Sequence, residues 1–331
     1  MSLANLNIYS PVFLAPMAGV TDMPSREIAQ LFSPGLVVSE MIASSDKDKF
    51  YFEKMVKANL SKVTKSELKC PTAIQIAGHE IEWMTYAAKV IEAEGGSIVD
   101  LNMGCPAKKI VGRLAGSALM KEPRHALKII EAVVNSTNLP VTLKMRLGWD
   151  EKSINAAEIA KSAEDIGVQM ITVHARTRSQ FFKGNPDWSL VKLVKDSVSI
   201  PTIINGNIID ISSAELAVKR SFADGIMIGR GAIGKPWLLN DISKSLYGNV
   251  SNRSVNTIML VDLVLLHFDK ILTFYGKEVG LRMFRKHLAS YLKNATASLL
   301  NCKTLMTESS INRLKSGIHF AFDKQALEVR W

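Results

Sequence analysis

Eight short, β-rich apolar runs recur along the chain, and helical patterns separate the later ones. The runs lie at residues 12–15, 36–39, 73–76, 98–101, 141–145, 170–174, 202–205 and 225–228. Stretches of helical period lie at 81–93, 126–134, 156–166, 188–195 and 213–219. Strands alternating with helices pair in parallel, because the helix is the return path. Eight such units predict an α/β fold, a (β/α)8 TIM barrel. A doubly wound sheet is the alternative. It would carry a GxGxxG turn after its first strand, and here the glycines follow the last two.

Past Trp237 the pattern changes. Residues 247–252 read as a linker, and helical stretches follow at 257–275, 279–294 and 307–322, with no convincing strand. The expected organisation is a barrel domain at 1–246 and a small all-helical C-terminal domain at 253–331. The chain has 331 residues and is 47% hydrophobic, enough for two cores. Its net charge is +10, and residues 241–331 carry 13 Lys and Arg against 7 Asp and Glu. A basic tail of that kind points to a polyanionic partner.

No apolar run reaches the ~18 residues of a membrane span. No basic segment precedes the first apolar stretch, which Pro11 and Pro16 interrupt, so no secretory signal is expected. Three cysteines at wide spacing, with no CxxC or HExxH, predict neither a disulfide framework nor a metal site. A cytoplasmic, monomeric protein without metal or membrane contact is expected.

A barrel builds its site at the C-terminal ends of its strands. Those ends carry Pro16-Met17-Ala18, Glu40, Gln75, Asn102 with Cys105, Lys144 with Arg146, His174 with Arg176, Asn205-Gly206-Asn207, and Gly229-Arg230-Gly231. Loops after the seventh and eighth strands commonly bind phosphate. Their glycines leave backbone N–H groups unhindered, and Arg230 adds a guanidinium. Lys144 and Gln75 would face the centre of the mouth. A flat, hydrogen-bonding ligand with a phosphate tail fits this set, and flavin mononucleotide (FMN) is such a ligand. A sugar phosphate is the alternative. Gly104-Cys105-Pro106 then holds a thiol on a sharp turn, a place for chemistry rather than core filling.

These motifs resemble the tRNA-dihydrouridine synthases, most closely the bacterial B-type branch. The matching segments are residues 15–22 (APMAGVTD), 102–109 (NMGCPAKK), 114–119, 144–149, 174–178, 204–208, 227–231 and Arg285-Lys286-His287. The resemblance implies an FMN-bearing barrel and a helical domain that binds tRNA. It implies flavin contacts from Pro16, Met17, Ala18, Gln75, Lys144, Asn205, Gly206, Asn207, Gly229 and Arg230, with His174 beside the cofactor. Relatives often carry Asp where this chain has Asn207. NADPH would reduce the flavin, hydride would pass to C6 of a uracil, and Cys105, as a thiol, would protonate C5.

Asn102 is a candidate for the uracil edge, or alternatively a cap of its own turn. Arg176 is a candidate for a uracil oxygen or a phosphate. Along 281–294, Leu281, Phe284, Leu288 and Leu292 fall on one side at helical period. Arg282, Lys286 and Lys293 fall opposite, with Arg285 nearby, as an RNA-facing stripe. A dihydroorotate dehydrogenase-like enzyme acting on a small pyrimidine is the competing reading, and the basic tail argues against it.

Overall fold

The computed structural model describes every residue except 1, 4–5, 45–48, 61–69, 249–256, 296–298, 324–327 and 331. The linker expected at 247–252 therefore leaves the described residues after Gly248. A hairpin of β1 (Ser2–Leu3) and antiparallel β2 (Leu6–Asn7) precedes the barrel. Eight parallel strands then close on themselves. They are β3 (Val12–Leu14), β4 (Leu36–Val38) with its short continuation β5 (Ile42–Ala43), β6 (Thr72–Ala77), β7 (Ile98–Met103), β8 (Val141–Arg146), β9 (Met170–His174), β10 (Thr202–Asn205) and β11 (Gly225–Ile228). Pairing of β11 with β3 and of β4 with β6 leaves no open edge. All eight expected runs are strands.

The surrounding helices are α1 (Met23–Gln30), α2 (Lys49–Leu60), α3 (Ile81–Ala93), α4 (Lys108–Val111), α5 (Pro123–Val134), α6 (Ala156–Ile166), α7 (Ser189–Ser197), α8 (Ile211–Ser221) and α9 (Leu238–Tyr247). Local chemistry explains where they begin. Asp22 caps α1 through the Ser25 N–H, and Pro24 sits in its first turn. Asp210 and Ser213 cap α8 reciprocally. In α5, Ala126, Ile129, Ile130 and Val133 form the buried stripe at i, i+3, i+4 and i+7.

The C-terminal region holds β12 (Thr257–Met259), α10 (Leu260–Tyr275), α11 (Lys277–Asn294), α12 (Leu299–Thr307), α13 (Ile311–Asp323) and β13 (Glu328–Arg330). The expectation of an all-helical domain needs one correction, since β12 and β13 pair antiparallel. Three-residue strands leave too little periodicity to read. The region has its own apolar core, which also takes in Ile28 and Phe32 from the barrel side.

Side-chain alternation along the strands decides what faces the barrel's interior. Ile98, Ala73, Met170, Ile203 and Phe13 form one apolar floor, sealed by Leu3 and Ile8 from the N-terminal segment. Two residues further up, the inward positions of β6, β7, β9 and β10 become polar, at Gln75, Asp100, Thr172 and Asn205, while β3 and β4 stay apolar at Ala15 and Val38. Register then sets Gln75 beside Asp100, Asp100 beside Thr142, Asn102 beside Lys144 and Arg146 beside His174.

Candidate active site

Polar inward positions open upward into a cavity of about 730 Å³ at the C-terminal ends of the strands. Pro16, Met17, Ala18, Gln75, Asn102, Cys105, Lys144, His174, Asn205, Gly206, Asn207, Gly229 and Arg230 all line it. Seven of the eight barrel strands and the loops they enter thus deliver their expected residues to one space.

Cys105 is half-buried on the turn after β7. Asn102 Oδ1 accepts from the N–H groups of Gly104 (3.1 Å) and Cys105 (2.9 Å). The cap alternative for Asn102 is therefore realised, and one of its Nδ2 protons donates to Gln75 Oε1 at 2.6 Å. The Cys105 carbonyl accepts from Ser117 N at 3.1 Å and Ser117 Oγ at 2.8 Å. Gly116 lies at φ +61°, and a Cβ there would come within 2.9 Å of that carbonyl oxygen. Arg146, 1% exposed, donates from Nε to the Gly104 carbonyl and from Nη1 to those of Thr177 and Phe181. Its guanidinium, and that of Arg230, also lie over the ring of Phe182. Arg146 and Phe182 both line the cavity; the sequence places Arg146 at a strand end without a role and gives no signal for Phe182. Arg146 shares β8's inward face with Lys144 two residues earlier, and that spacing was its signal.

Lys144 is buried and donates from Nζ to Asn205 Oδ1 at 3.3 Å. Burial and the nearby Arg146 pull its pKa down to about 8, against the attraction of Asp100. Burial pushes the Asp100 carboxyl up to about 6, against hydrogen bonds from Thr142 and Gln75 and the Lys144 charge. His174 is held well below its usual value, first by burial and then by Lys144, Arg146, Arg176 and Arg230, so its imidazole is neutral.

The Asp100 shift makes a stability prediction. Its folded pKa is raised, so its favourable contribution is complete below the ordinary carboxylate range and is lost as pH rises through about 6. Above that, the buried charge costs about 3 kcal/mol. Asp100→Asn should therefore raise the thermal midpoint of the apoprotein near pH ~8, and the gain should vanish toward pH ~4. Equal midpoints at both pH values would remove this cost from Asp100.

The last two strand ends form an anion cradle. Gly206 has φ +126° and Asn207 φ +51°, a left-handed geometry that Asn tolerates. Asn207 Oδ1 accepts from Arg230 Nη2 at 3.2 Å, so its side chain ties the two loops together. A Cβ on Gly231 would strike the Ile208 carbonyl oxygen at 2.4 Å, so the loops pack backbone to backbone. This donor set fits a flavin: open backbone and Arg230 for a phosphate, Lys144 at the centre for developing negative charge, and Gln75 with one N–H and one lone pair to spare.

Other expected residues lie outside the cavity lining. Arg176 is fully buried, and its guanidinium donates to the carbonyls of Lys183 (3.2 Å) and Gly184 (2.7 Å). Arg285 Nη2 donates to the Glu308 carbonyl at 3.2 Å. Arg282, Lys286 and Lys293 are exposed on α11, opposite buried Phe284, Leu288 and Leu292.

Helix α11 lies against the barrel mouth. A Cβ on Gly19 would meet Lys286 Nζ at 3.1 Å, and one on Gly234 would meet the Ser290 backbone at 2.5 Å. Beneath it, Ser25 Oγ, which donates to Asp22, sits 3.2 Å from His267 Nε2 and 3.3 Å from His287 Nε2. Among the described residues no group of three or more His, Cys, Asp or Glu is placed to hold a metal ion, and no helix is long and apolar enough to cross a membrane.

A thiol facing an anion cradle across a buried cation, in the mouth of a closed parallel barrel, is oxidoreductase architecture. Histamine dehydrogenase from Rhizobium sp. 4-9 shares the fold, with a TM-score of 0.51 at 16% identity; 73% of this chain aligns with 48% of that one, so the chain spans about half its length. The family model described as "Dihydrouridine synthase (Dus)" matches residues 13–316. A "Probable tRNA-dihydrouridine synthase" of Rhodobacter capsulatus is 48% identical, over 90% of this chain and 91% of that protein. One of the same name from Rhizobium leguminosarum bv. phaseoli is 41% identical over 98% and 99%. "tRNA-dihydrouridine synthase B" of Vibrio parahaemolyticus is 39% identical over 88% and 89%. The chain belongs to the dihydrouridine synthase family, flavin-dependent oxidoreductases that reduce uridine.

Proposed function

We propose that this protein is a tRNA-dihydrouridine synthase that holds FMN in the barrel mouth, takes its electrons from NADPH, and saturates the 5,6 double bond of a D-loop uridine. The observation that carries the reading is the Cys105 turn facing the same cavity as Lys144 and the two glycine-rich loops. Gly206, Asn207, Gly229 and Arg230 would hold the FMN phosphate. Lys144 would hold the ring's pyrimidine edge and offset negative charge there, with Gln75 alongside. Bound FMN supplies the hydride.

The chain's own residues do the rest. Cys105 gives its Sγ proton to C5 of the uracil. Asn102 holds the turn and keeps one Nδ2 proton for the base. Neutral His174 lines the cavity without adding another charge. Residues 1–246 form the FMN-binding catalytic domain and 253–331 the tRNA-binding domain, working as a monomer in the cytoplasm, where its tRNA substrate would be met. The target base must leave its stack to enter the mouth.

Purified protein should release FMN and should form dihydrouridine in unmodified tRNA when given NADPH. Release of FAD, or reduction of a free pyrimidine with none of tRNA, would replace this reading. Arg230→Ala should weaken FMN retention by about 1.5–3 kcal/mol, the worth of one charge-assisted hydrogen bond. Flavin titration of the apoprotein measures it, and unchanged affinity would move the phosphate away from Arg230.

A further inference from the structure

Along the cavity wall, a chain of hydrogen bonds runs from buried Asp100 to the half-buried Cys105 turn. Asp100, 3% exposed, accepts from Gln75 Nε2 at 2.6 Å and from Thr142 Oγ1 at 2.6 Å. Gln75 Oε1 accepts from Asn102 Nδ2 at 2.6 Å. Asn102 Oδ1 accepts from the N–H groups of Gly104 and Cys105. The register of β6, β7 and β8 places these groups side by side with no gap.

We propose that Asp100 is the positioning residue for Cys105, acting through Gln75 and Asn102. A carboxylate only accepts hydrogen bonds, whereas a carboxamide has a donating and an accepting end. Asp100 therefore forces Gln75 to turn its NH2 downward and its carbonyl toward Asn102. Asn102 must then turn its NH2 to Gln75, leaving its carbonyl for the Cys105 turn. One acceptor-only group at the base decides the direction of each bond above it. Reversing either amide would set an NH2 group against the two backbone N–H donors of Gly104 and Cys105. The Asn102 carbonyl is the protein partner of both donors, so the order of the turn and its thiol follows from the carboxylate. The stability cost of burying Asp100 is consistent with retention for such a task.

The inference rests on Cys105 as proton donor, and its test has a readout independent of turnover. In the flavin-loaded protein, the rate at which iodoacetamide alkylates Cys105 is followed by peptide mass spectrometry. Asp100→Asn is nearly isosteric but can donate as well as accept, so nothing at the base imposes the direction of the chain any longer. Alkylation of Cys105 should change by about tenfold, the population shift that one lost hydrogen bond permits. Thr142→Val removes the other bond to Asp100 and keeps the direction of the chain, so Cys105 alkylation should match the wild type.

With the flavin already reduced, dihydrouridine formation by Asp100→Asn should slow. In a Cys105→Ala background Asp100→Asn should slow the residual reaction no further, because the two act as one unit. Unchanged alkylation in Asp100→Asn would overturn the inference. So would equal slowing with and without Cys105, which would assign Asp100 to Lys144 instead. If the wild-type protein forms no dihydrouridine, the functional reading fails, and the alkylation comparison still decides whether Asp100 orders the turn.

Discussion

Cys105→Ala is expected to slow dihydrouridine formation by about 10²–10⁴-fold, the usual consequence of removing a general acid. Flavin content and NADPH oxidation should stay at wild-type levels. The structure separates the two effects because the turn is held by its backbone. The Cys105 N–H goes to Asn102, its carbonyl to Ser117, and the Gly104 carbonyl to Arg146. Truncation to Ala removes Sγ and none of these bonds. The phosphate cradle lies on β10 and β11, remote in sequence from the turn. Dihydrouridine is counted by mass spectrometry of digested tRNA after a single turnover of prereduced enzyme. A normal rate in that assay would strip Cys105 of its role. Cys70, 7% exposed in the barrel core, is a control whose replacement should leave the chemistry alone. Cys302 is a second control, although its side chain lies outside the described residues.

Replacing Arg282, Lys286 and Lys293 together by Gln should weaken tRNA binding steeply and flatten its salt dependence. Each phosphate contact contributes roughly 0.7–0.9 to the slope of log affinity against log salt, so three contacts remove about 2–3. All three side chains are exposed, and the opposite face of α11 is buried with Phe284, Leu288 and Leu292, so the fold should survive. Lys286 reaches the Gly19 loop at the barrel mouth, which puts positive charge beside the entrance. Flavin content and NADPH oxidation serve as controls, since neither depends on this face. Titration of unmodified tRNA across several salt concentrations measures both affinity and slope. An unchanged slope would send the RNA surface to the barrel rim, at Arg178 and Lys183. Arg176 is no longer a candidate there, because its guanidinium is spent on the carbonyls of Lys183 and Gly184.

The motif Arg285-Lys286-His287 shows where sequence reading stops. Three adjacent residues that read alike go three ways. Arg285 holds the Glu308 carbonyl, Lys286 reaches the Gly19 loop, and His287 is buried against Ser25. Helical geometry spreads neighbours by about 100° each, and only the packing of α11 against the barrel says which direction is which. The exposed basic stripe of Arg282, Lys286 and Lys293 was legible because a helix returns them to one side, and Arg285 points elsewhere.

The sequence by itself determined the alternation of strands and helices, the closed parallel barrel, the glycines after the last two strands and the thiol on its turn. Each is a local signal, carried by period, by turn chemistry or by residue type at a strand end. Only the tertiary structure decided the pairing of β12 with β13, residues some 70 positions apart, and the hairpin β1–β2 that seals the floor. It also decided that Asn102 spends its carbonyl on the Cys105 turn, and that Asp100 stands behind Gln75 as the acceptor that orients both amides. Those are matters of register between strands distant in sequence. A shift of one residue would turn every one of these side chains to the other face of the barrel wall, and nothing local to any one strand records which register is taken.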